Sequence, residues 1–322
     1  MDLQERNISE NNFEQCIKCT VCTAYCPVVP VNPAYPGPKQ AGPDGERLRL
    51  KAGSYFDEAL KYCLNCKRCE VACPSNVRIG DIIQLARMRY AKSRPSLRDR
   101  MLANTDFVGR MATTFAPIVN TTLGWRPVKA AMDGVLRIDR RRTFPSYAGQ
   151  TFERWFRRHE EARQEGCYIN YNYPDLGKDL VHVLNALGYG VHLLEREKCC
   201  GVALIANGLY DQARRQALTN MESIRRSVTG ERRPVIVASS TCTFTMRDEY
   251  PHVLGVGNED VRDGIDLVTR FVYRIIDSGE ARLRFRDDVR MKAAYHTACH
   301  MERLGWSCYS IALLRMIPTL EL

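Results

Sequence analysis

The sequence predicts an α+β protein: a mostly helical N-terminal domain rich in cysteine, then an α/β domain with cysteines of its own. Three observations predict it. Eight of the 14 cysteines lie between Cys16 and Cys73, in two runs of identical spacing. The other six are scattered from Cys167 to Cys308. After Cys167, short apolar runs alternate with amphipathic stretches, the pattern of a largely parallel sheet covered on both faces by helices.

The elements follow in order. Met1–Asn12 is polar and lacks the basic-then-apolar layout of a signal peptide. From Pro27 to Pro43 there are six prolines, which remove backbone donors and block helix, so an ordered loop or extended segment is expected. A helix is expected over Tyr55–Tyr62. Another follows Pro74, with Asp81 as its cap and Ile79, Ile82, Ile83, Ala86 and Tyr90 at helical spacing. Residues 94–150 mix Arg with Phe107, Phe115, Ile118, Val119, Trp125 and Val128, and Pro117 and Pro127 rule out one long helix. Phe152–Arg163 reads as a charged helix, and Leu176–Leu187 as an amphipathic helix ended by Gly188. Val191–Leu194 and Pro234–Ala238 read as strands, with a helix within Leu204–Ser227 between them.

The chain is 322 residues long, enough for two domains, and carries a net charge of +10. Between Arg94 and Arg142, nine Arg and one Lys face four Asp, which concentrates the charge in the connector. No stretch reaches the ~18 apolar residues that a transmembrane helix needs, so any membrane contact is expected to be peripheral. Nucleic-acid binding is not expected, because no recognition motif accompanies the charge. No phosphate loop, Ser-His-Asp set or carboxylate pair stands out. Gly188-Tyr189-Gly190 is half of a dinucleotide fingerprint and follows a helix where a strand is required.

Cys16, Cys19, Cys22 and Cys26 precede Pro27, and Cys63, Cys66, Cys69 and Cys73 precede Pro74, each reading C-x2-C-x2-C-x3-C-P. This is the bacterial two-cluster ferredoxin run, in which the fourth cysteine of each run serves the other cluster. Two [4Fe–4S] clusters are therefore expected, one on Cys16, Cys19, Cys22 and Cys73 and one on Cys63, Cys66, Cys69 and Cys26. Zinc needs no third cysteine at that spacing, and a c-type haem needs His directly after CxxC. Lys18, Lys67 and Arg68 lie inside the runs. They read as solvated loop charges, or else as charges that raise cluster potential or dock an acidic partner.

In the second set, Gly201 gives the adjacent Cys199 and Cys200 the backbone freedom to face one site. Cys167 and Cys242 end neighbouring elements. Cys167, Cys199, Cys200 and Cys242 form a candidate metal site, with small buried packing residues as the other reading. His192 and His296 read as residues of the core or its edge. His300, beside Cys299, is the stronger candidate for ligation or proton transfer. Gly166-Cys167-Tyr168 and Thr297-Ala298-Cys299-His300 open what reads as a weak internal repeat, whose second copy would run past Leu322 before its cysteine pair.

The segments 13–28, 32–50, 57–84, 115–121, 170–180, 197–208, 239–251 and 295–306 resemble the family of C subunits of anaerobic glycerol-3-phosphate dehydrogenase. Broader relatives join a ferredoxin domain to cysteine-rich "CCG" domains, as in heterodisulfide reductase and glycolate oxidase iron–sulfur subunits. The resemblance implies a ferredoxin domain at 1–93, a basic amphipathic connector at 94–165, a first CCG unit at 166–290 and the start of a truncated second at 291–322. It implies an electron-transfer subunit that takes electrons from flavoprotein dehydrogenase subunits and passes them to the quinone pool. It would also anchor those subunits, peripherally, on the cytoplasmic side of the inner membrane. A further iron–sulfur site in the CCG domain would be part of that picture. The alternative is a heterodisulfide-reductase-like or glycolate-oxidase-like subunit whose CCG domain does chemistry itself. Three features depart from the family pattern: Ser239 stands where the first cysteine of the CCG motif's terminal CxxC belongs, the charged stretch Arg157–Glu165 replaces an apolar strand, and the sequence stops before the second CCG cysteines and their CxxC.

Overall fold

Residues 13–53, 55, 57–90, 95–158, 167–285 and 290–322 are described by a computed structural model, with only the backbone of Cys167 and Tyr168. Four helices occupy the N-terminal part: α1 (Val21–Ala24), α2 (Gly45–Lys51), α3 (Arg68–Val71) and α4 (Ile79–Tyr90). Next come α5 (Leu97–Ala103), α6 (Thr105–Thr114), α7 (Ala116–Leu123), α8 (Arg126–Leu136), α9 (Phe152–Phe156), α10 (Cys167–Tyr171) and α11 (Pro174–Ala186). They are followed by α12 (Val202–Ala206), α13 (Tyr210–Arg225), β1 (Val235–Val237), α14 (Ser240–Phe244), α15 (Tyr250–His252), β2 (Ile265–Leu267) and α16 (Val268–Asp277). The last are β3 (Met291–Lys292), α17 (Cys299–Leu304), α18 (Ser307–Arg315) and β4 (Leu320–Glu321).

Two units result. One comprises residues up to 94 with 243–259 and 285–322; the other comprises 95–242 with 260–284. In the first unit the core forms around cysteine itself: Cys22, Cys26 and Cys69 pack with Phe13, Val28, Tyr35, Leu60 and the α4 stripe. Ile79, Ile82, Ile83 and Ala86 are buried, as their spacing predicts. Asp81 is no cap. It lies in the first turn of α4, buried and paired with Lys67 and Arg78. The proline-rich segment is ordered, but its end is helical. Gln40–Asp44 makes a π turn containing Pro43, and such a widened turn relieves the clash of the ring with the carbonyl four residues back. The helix expected over Tyr55–Tyr62 is a 3-10 turn, Glu58–Tyr62, capped by the Asp57 side chain on Ala59 N–H at 2.8 Å. β3 and β4 pair in parallel in this unit.

In the second unit, prolines break the connector as expected. Pro117 and Pro127 sit in the first turns of α7 and α8, where their missing N–H groups have no helical partner to lose. Of the expected helix Phe152–Arg163, α9 covers Phe152–Phe156, and the tail from 159 lies outside the described residues. Leu204–Ser227 resolves into the end of α12 and the whole of α13. The sheet is smaller than the alternation suggests. β1 pairs in parallel with β2, Val235 opposite Ile265, and this is the sole ladder among the described residues of the unit. Val191–Leu194 belongs to no strand. It lines a cavity of about 350 Å³ together with Pro234–Ile236.

Candidate metal centres

The two cysteine runs fold alike. Lys18 and Thr20 in the first run, and Asn65 and Lys67 in the second, take left-handed backbone angles of 61°, 65°, 56° and 62° at matching places. A side-chain-bearing residue in that region costs about 1–2 kcal/mol, and such strain gathers at ligand sites. α1 and α3 begin immediately after Thr20 and Lys67, so each run is a double turn feeding a short helix.

The thiols gather across the runs. Burial raises the Cys22 thiol, and the nearby charges of Cys16, Cys73 and Cys19 raise it further, which groups three cysteines of the first run with the last of the second. Cys66 lies near Cys63 and Cys26, and Cys69 lies near Cys63 and Cys66. Cys26, Cys63, Cys66 and Cys69 line one small void together with Tyr35 and Gly80. Backbone N–H groups turn toward sulfur: Asn65 donates to Cys63, Arg68 to Cys66, and Val77 reaches Cys73 Sγ at 3.3 Å. Such donors favour thiolate and tune cluster potential.

This arrangement suits a multi-iron group. Four thiols around a shared void match the separated corners of a cubane. Burial pushes Cys66 up to about 11 and Cys69 well above its ordinary value, so a bound cluster would supply the positive charge that favours their thiolates.

Lys67 is the largest surprise. Lys18 is exposed, as a solvated loop charge should be, but Lys67 is 1% exposed. Its ammonium pairs with Asp81, and lies 3.6 Å from Glu249 and 3.8 Å from Glu70. Burial alone would lower its pKa; the three carboxylates outweigh that and raise it. Around this centre Arg78 binds Asp248 at 2.7 Å, Arg303 binds Glu70 at 3.0 Å, and Asn65 donates to Glu249. Gly80 is required here, because a Cβ would come within 2.8 Å of Glu70 Oε1 and Lys67 Cδ. Arg68 is partly exposed and lies 3.4 Å from Glu302. The sequence offers no signal for the network, since Asp248, Glu249 and Arg303 lie far along the chain.

His300 is a structural link. Its ring stacks on Phe244 at 4.9 Å, its Nε2 meets the Asn65 carbonyl at 3.2 Å, and burial lowers its pKa. Its neighbour Cys299 lies close enough to Cys66 for its charge to raise that thiol. His192 and His296 are exposed, so neither is a core residue.

In the second unit three of the four expected cysteines meet. Cys200 hydrogen-bonds to Cys199 and Cys242, which raises Cys200 and lowers Cys242, so Cys242 is the better thiolate. The Cys167 side chain lies outside the described residues. Gly201 takes φ 87°, the freedom that the adjacent cysteines demand. Two contacts have no signal in the sequence: Asp106 accepts from Cys199 N–H at 3.0 Å, and the Thr105 hydroxyl lies 3.4 Å from Cys199 Sγ. Beside them a polar cleft of about 580 Å³ runs past Cys199, Asp106, Arg110, Glu153 and Lys198.

A double-turn cysteine fold joined to a cysteine-rich α/β unit is the arrangement of an iron–sulfur protein. Residues 12–77 match the 4Fe-4S dicluster domain family, and residues 162–247 match the cysteine-rich domain family called CCG. The chain is 57% identical to the C subunit of anaerobic glycerol-3-phosphate dehydrogenase of Escherichia coli (strain K12), over 98% of this chain and 81% of that one. It belongs to that family and, like its dicluster domain, carries [4Fe–4S] clusters. More distant is the B subunit of fumarate reductase (CoM/CoB) of Methanothermobacter marburgensis, 24% identical over 95% of this chain and 55% of its own. The glycolate oxidase iron–sulfur subunit of Escherichia coli (strain K12) is 24% identical over 97% of this chain and 77% of its own. No solved structure matches.

Proposed function

We propose that this chain relays electrons from flavoprotein glycerol-3-phosphate dehydrogenase subunits to quinone, docked peripherally on the cytoplasmic side of the inner membrane. Oxidation of sn-glycerol 3-phosphate to dihydroxyacetone phosphate releases two electrons and two protons. Quinone takes up two of each to become quinol. Bound [4Fe–4S] clusters supply one-electron carriers between the two half-reactions. In this reading Cys16, Cys19, Cys22 and Cys73 hold one cluster, and Cys63, Cys66, Cys69 and Cys26 hold the other. Cys199, Cys200 and Cys242, with Cys167, hold a further iron–sulfur group. The observation that carries the proposal is the crosswise grouping of the eight N-terminal thiols in a chain 57% identical to a dehydrogenase C subunit.

Docking is supported by the connector. Phe107, Phe115, Ile118, Trp125 and Val135 are exposed along the stretch from α6 to α8, amid the Arg-rich sequence. Apolar side chains at an interface, with Arg facing anionic headgroups, give reversible binding without a spanning helix. No helix among the described residues is long and apolar enough to cross a membrane.

A second reading has one observation behind it: the polar cleft at Cys199 beside a lowered Cys242 thiol could let the cysteines act on a substrate directly. One anaerobic experiment separates the two. With flavoprotein subunits co-purified on the chain, glycerol 3-phosphate should bleach the visible absorption of the clusters, and added quinone should restore it. A chain that reduces a disulfide with no flavoprotein present, and whose clusters ignore glycerol 3-phosphate, overturns the relay.

A further inference from the structure

The helices of the connector surround a cavity that the relay reading leaves without a purpose. It holds about 300 Å³, the lower end of what a small-molecule site encloses. Its walls are mostly apolar, with Val108, Ala112, Val119, Leu123, Met132 and Leu136 among them. Close-packed interiors leave few voids larger than water, and an empty apolar one is destabilising. Met101 and Leu102 also line it and are each 46% exposed, so the cavity opens to the outside along an apolar rim.

Its polar groups are few and placed apart. Arg98, the charged member, is engaged with Asp99 at 2.9 Å, which leaves little to hold an anionic ligand. Tyr147 lines it, with its N–H and carbonyl both bound to Asn120. Its hydroxyl makes no hydrogen bond among the described residues, and desolvation keeps it protonated, hence a donor. On another wall stands Thr105, whose hydroxyl lies 3.4 Å from Cys199 Sγ. The cavity therefore abuts the Cys199–Cys200–Cys242 thiols through a single side chain.

We propose that this cavity binds the ring of a quinone, a flat apolar molecule whose carbonyl oxygen accepts from Tyr147 and whose tail leaves past Met101 and Leu102. A charged substrate would lack a counter-ion here, and a plain acyl chain would leave the tyrosine donor unused. The redox step rests on the relay reading: the quinone takes two electrons, one at a time, from the chain's reduced iron–sulfur groups and two protons from solvent. Binding itself does not depend on that step.

The test uses 2,3-dimethyl-1,4-naphthoquinone, whose substituted ring carbons cannot alkylate thiols, with the full chain carrying its clusters. Val119→Trp fills the cavity and should weaken binding at least about tenfold, the scale of losing a well-packed apolar contact. Tyr147→Phe keeps the shape and should weaken it by roughly two- to tenfold, the worth of one hydrogen bond. Cluster absorption should be unchanged in both. Wild-type affinity in both variants overturns the proposal. So does displacement of the quinone, molecule for molecule, by a short-chain phosphatidylcholine, which would make this an acyl-chain site. In the assembled complex, electron flow from glycerol 3-phosphate to the quinone that survives Val119→Trp also refutes the cavity while leaving the relay standing. Tight, variant-sensitive binding without electron flow upholds the cavity and sinks the relay.

Discussion

The runs Cys16–Cys26 and Cys63–Cys73 share a spacing and a backbone, yet their surroundings are opposite. Thr20 and Lys67 occupy the same left-handed position, at 65° and 62°. Thr20 is exposed, and its hydroxyl donates to the carbonyl of Cys19 at 2.7 Å. Lys67 is sealed from solvent among Asp81, Glu70 and Glu249. The first run is tied down by local bonds, whereas the second is the centre of an ionic network reaching 170 residues and more along the chain. Spacing sets which atoms can hold iron. Surroundings set the charge those atoms feel and what it costs to disturb them.

The largest effect should come from breaking the crossing itself. Cys73→Ala should remove the cluster of the first run, although Cys73 belongs to the second, and Cys26→Ala should do the converse. Each variant should lose the iron of one cluster, and low-temperature electron paramagnetic resonance of the reduced protein should show which signal is gone. If each substitution emptied the run it sits in, the crossed assignment would be wrong.

Next in size is the contrast at the matched position. Lys67→Met leaves buried carboxylates without their cation and should destabilise the chain by about 3–5 kcal/mol, the scale for breaking a buried ion pair from one side. Thr20→Met should stay within about 0.5 kcal/mol, as an exposed substitution does. Denaturant titration under anaerobic conditions reads both. Lys67→Met should also lower the potential of the second cluster alone, because a fixed positive charge favours the more negative reduced state. Equal costs at the two positions would mean that the buried network stabilises nothing.

The smallest effect should appear in acid. Burial alone would raise the Asp81 carboxyl, but Lys67 and Arg78 outweigh it and hold the group down to about 2 from an ordinary 3.8. A depressed carboxyl stabilises the fold above its unfolded value, and that contribution is lost as pH falls through the folded one. Stability should therefore drop between pH 3.8 and about 2, and Asp81→Asn should shrink that step. The step is checked by unfolding at a series of pH values, and an unaltered drop in the variant would show that Asp81 does not cause it.

The parts legible in the sequence are those whose physics is local. Ligand spacing, the apolar stripe of α4, the prolines opening α7 and α8, and the glycine after Cys200 each depend on neighbours within a few residues. The parts missed depend on partners far along the chain. Asp81 reads as a cap because its sequence neighbours permit one, and it is a counter-ion because Lys67 is buried beside it. Val191–Leu194 reads as a strand because it is apolar, yet it joins no ladder and lines a cavity with β1 residues instead.

By itself the sequence pointed to iron–sulfur clusters on eight cysteines at ferredoxin spacing, since three thiolates with two residues between each can wrap one small cofactor however the rest folds. Only the tertiary structure decided that the matched position would be solvated in one run, at Thr20, and encased in charge in the other, at Lys67. Burying an ammonium is tolerable only where carboxylates close around it, and two of the carboxylates at the centre of that network, Asp248 and Glu249, come from a segment far along the chain.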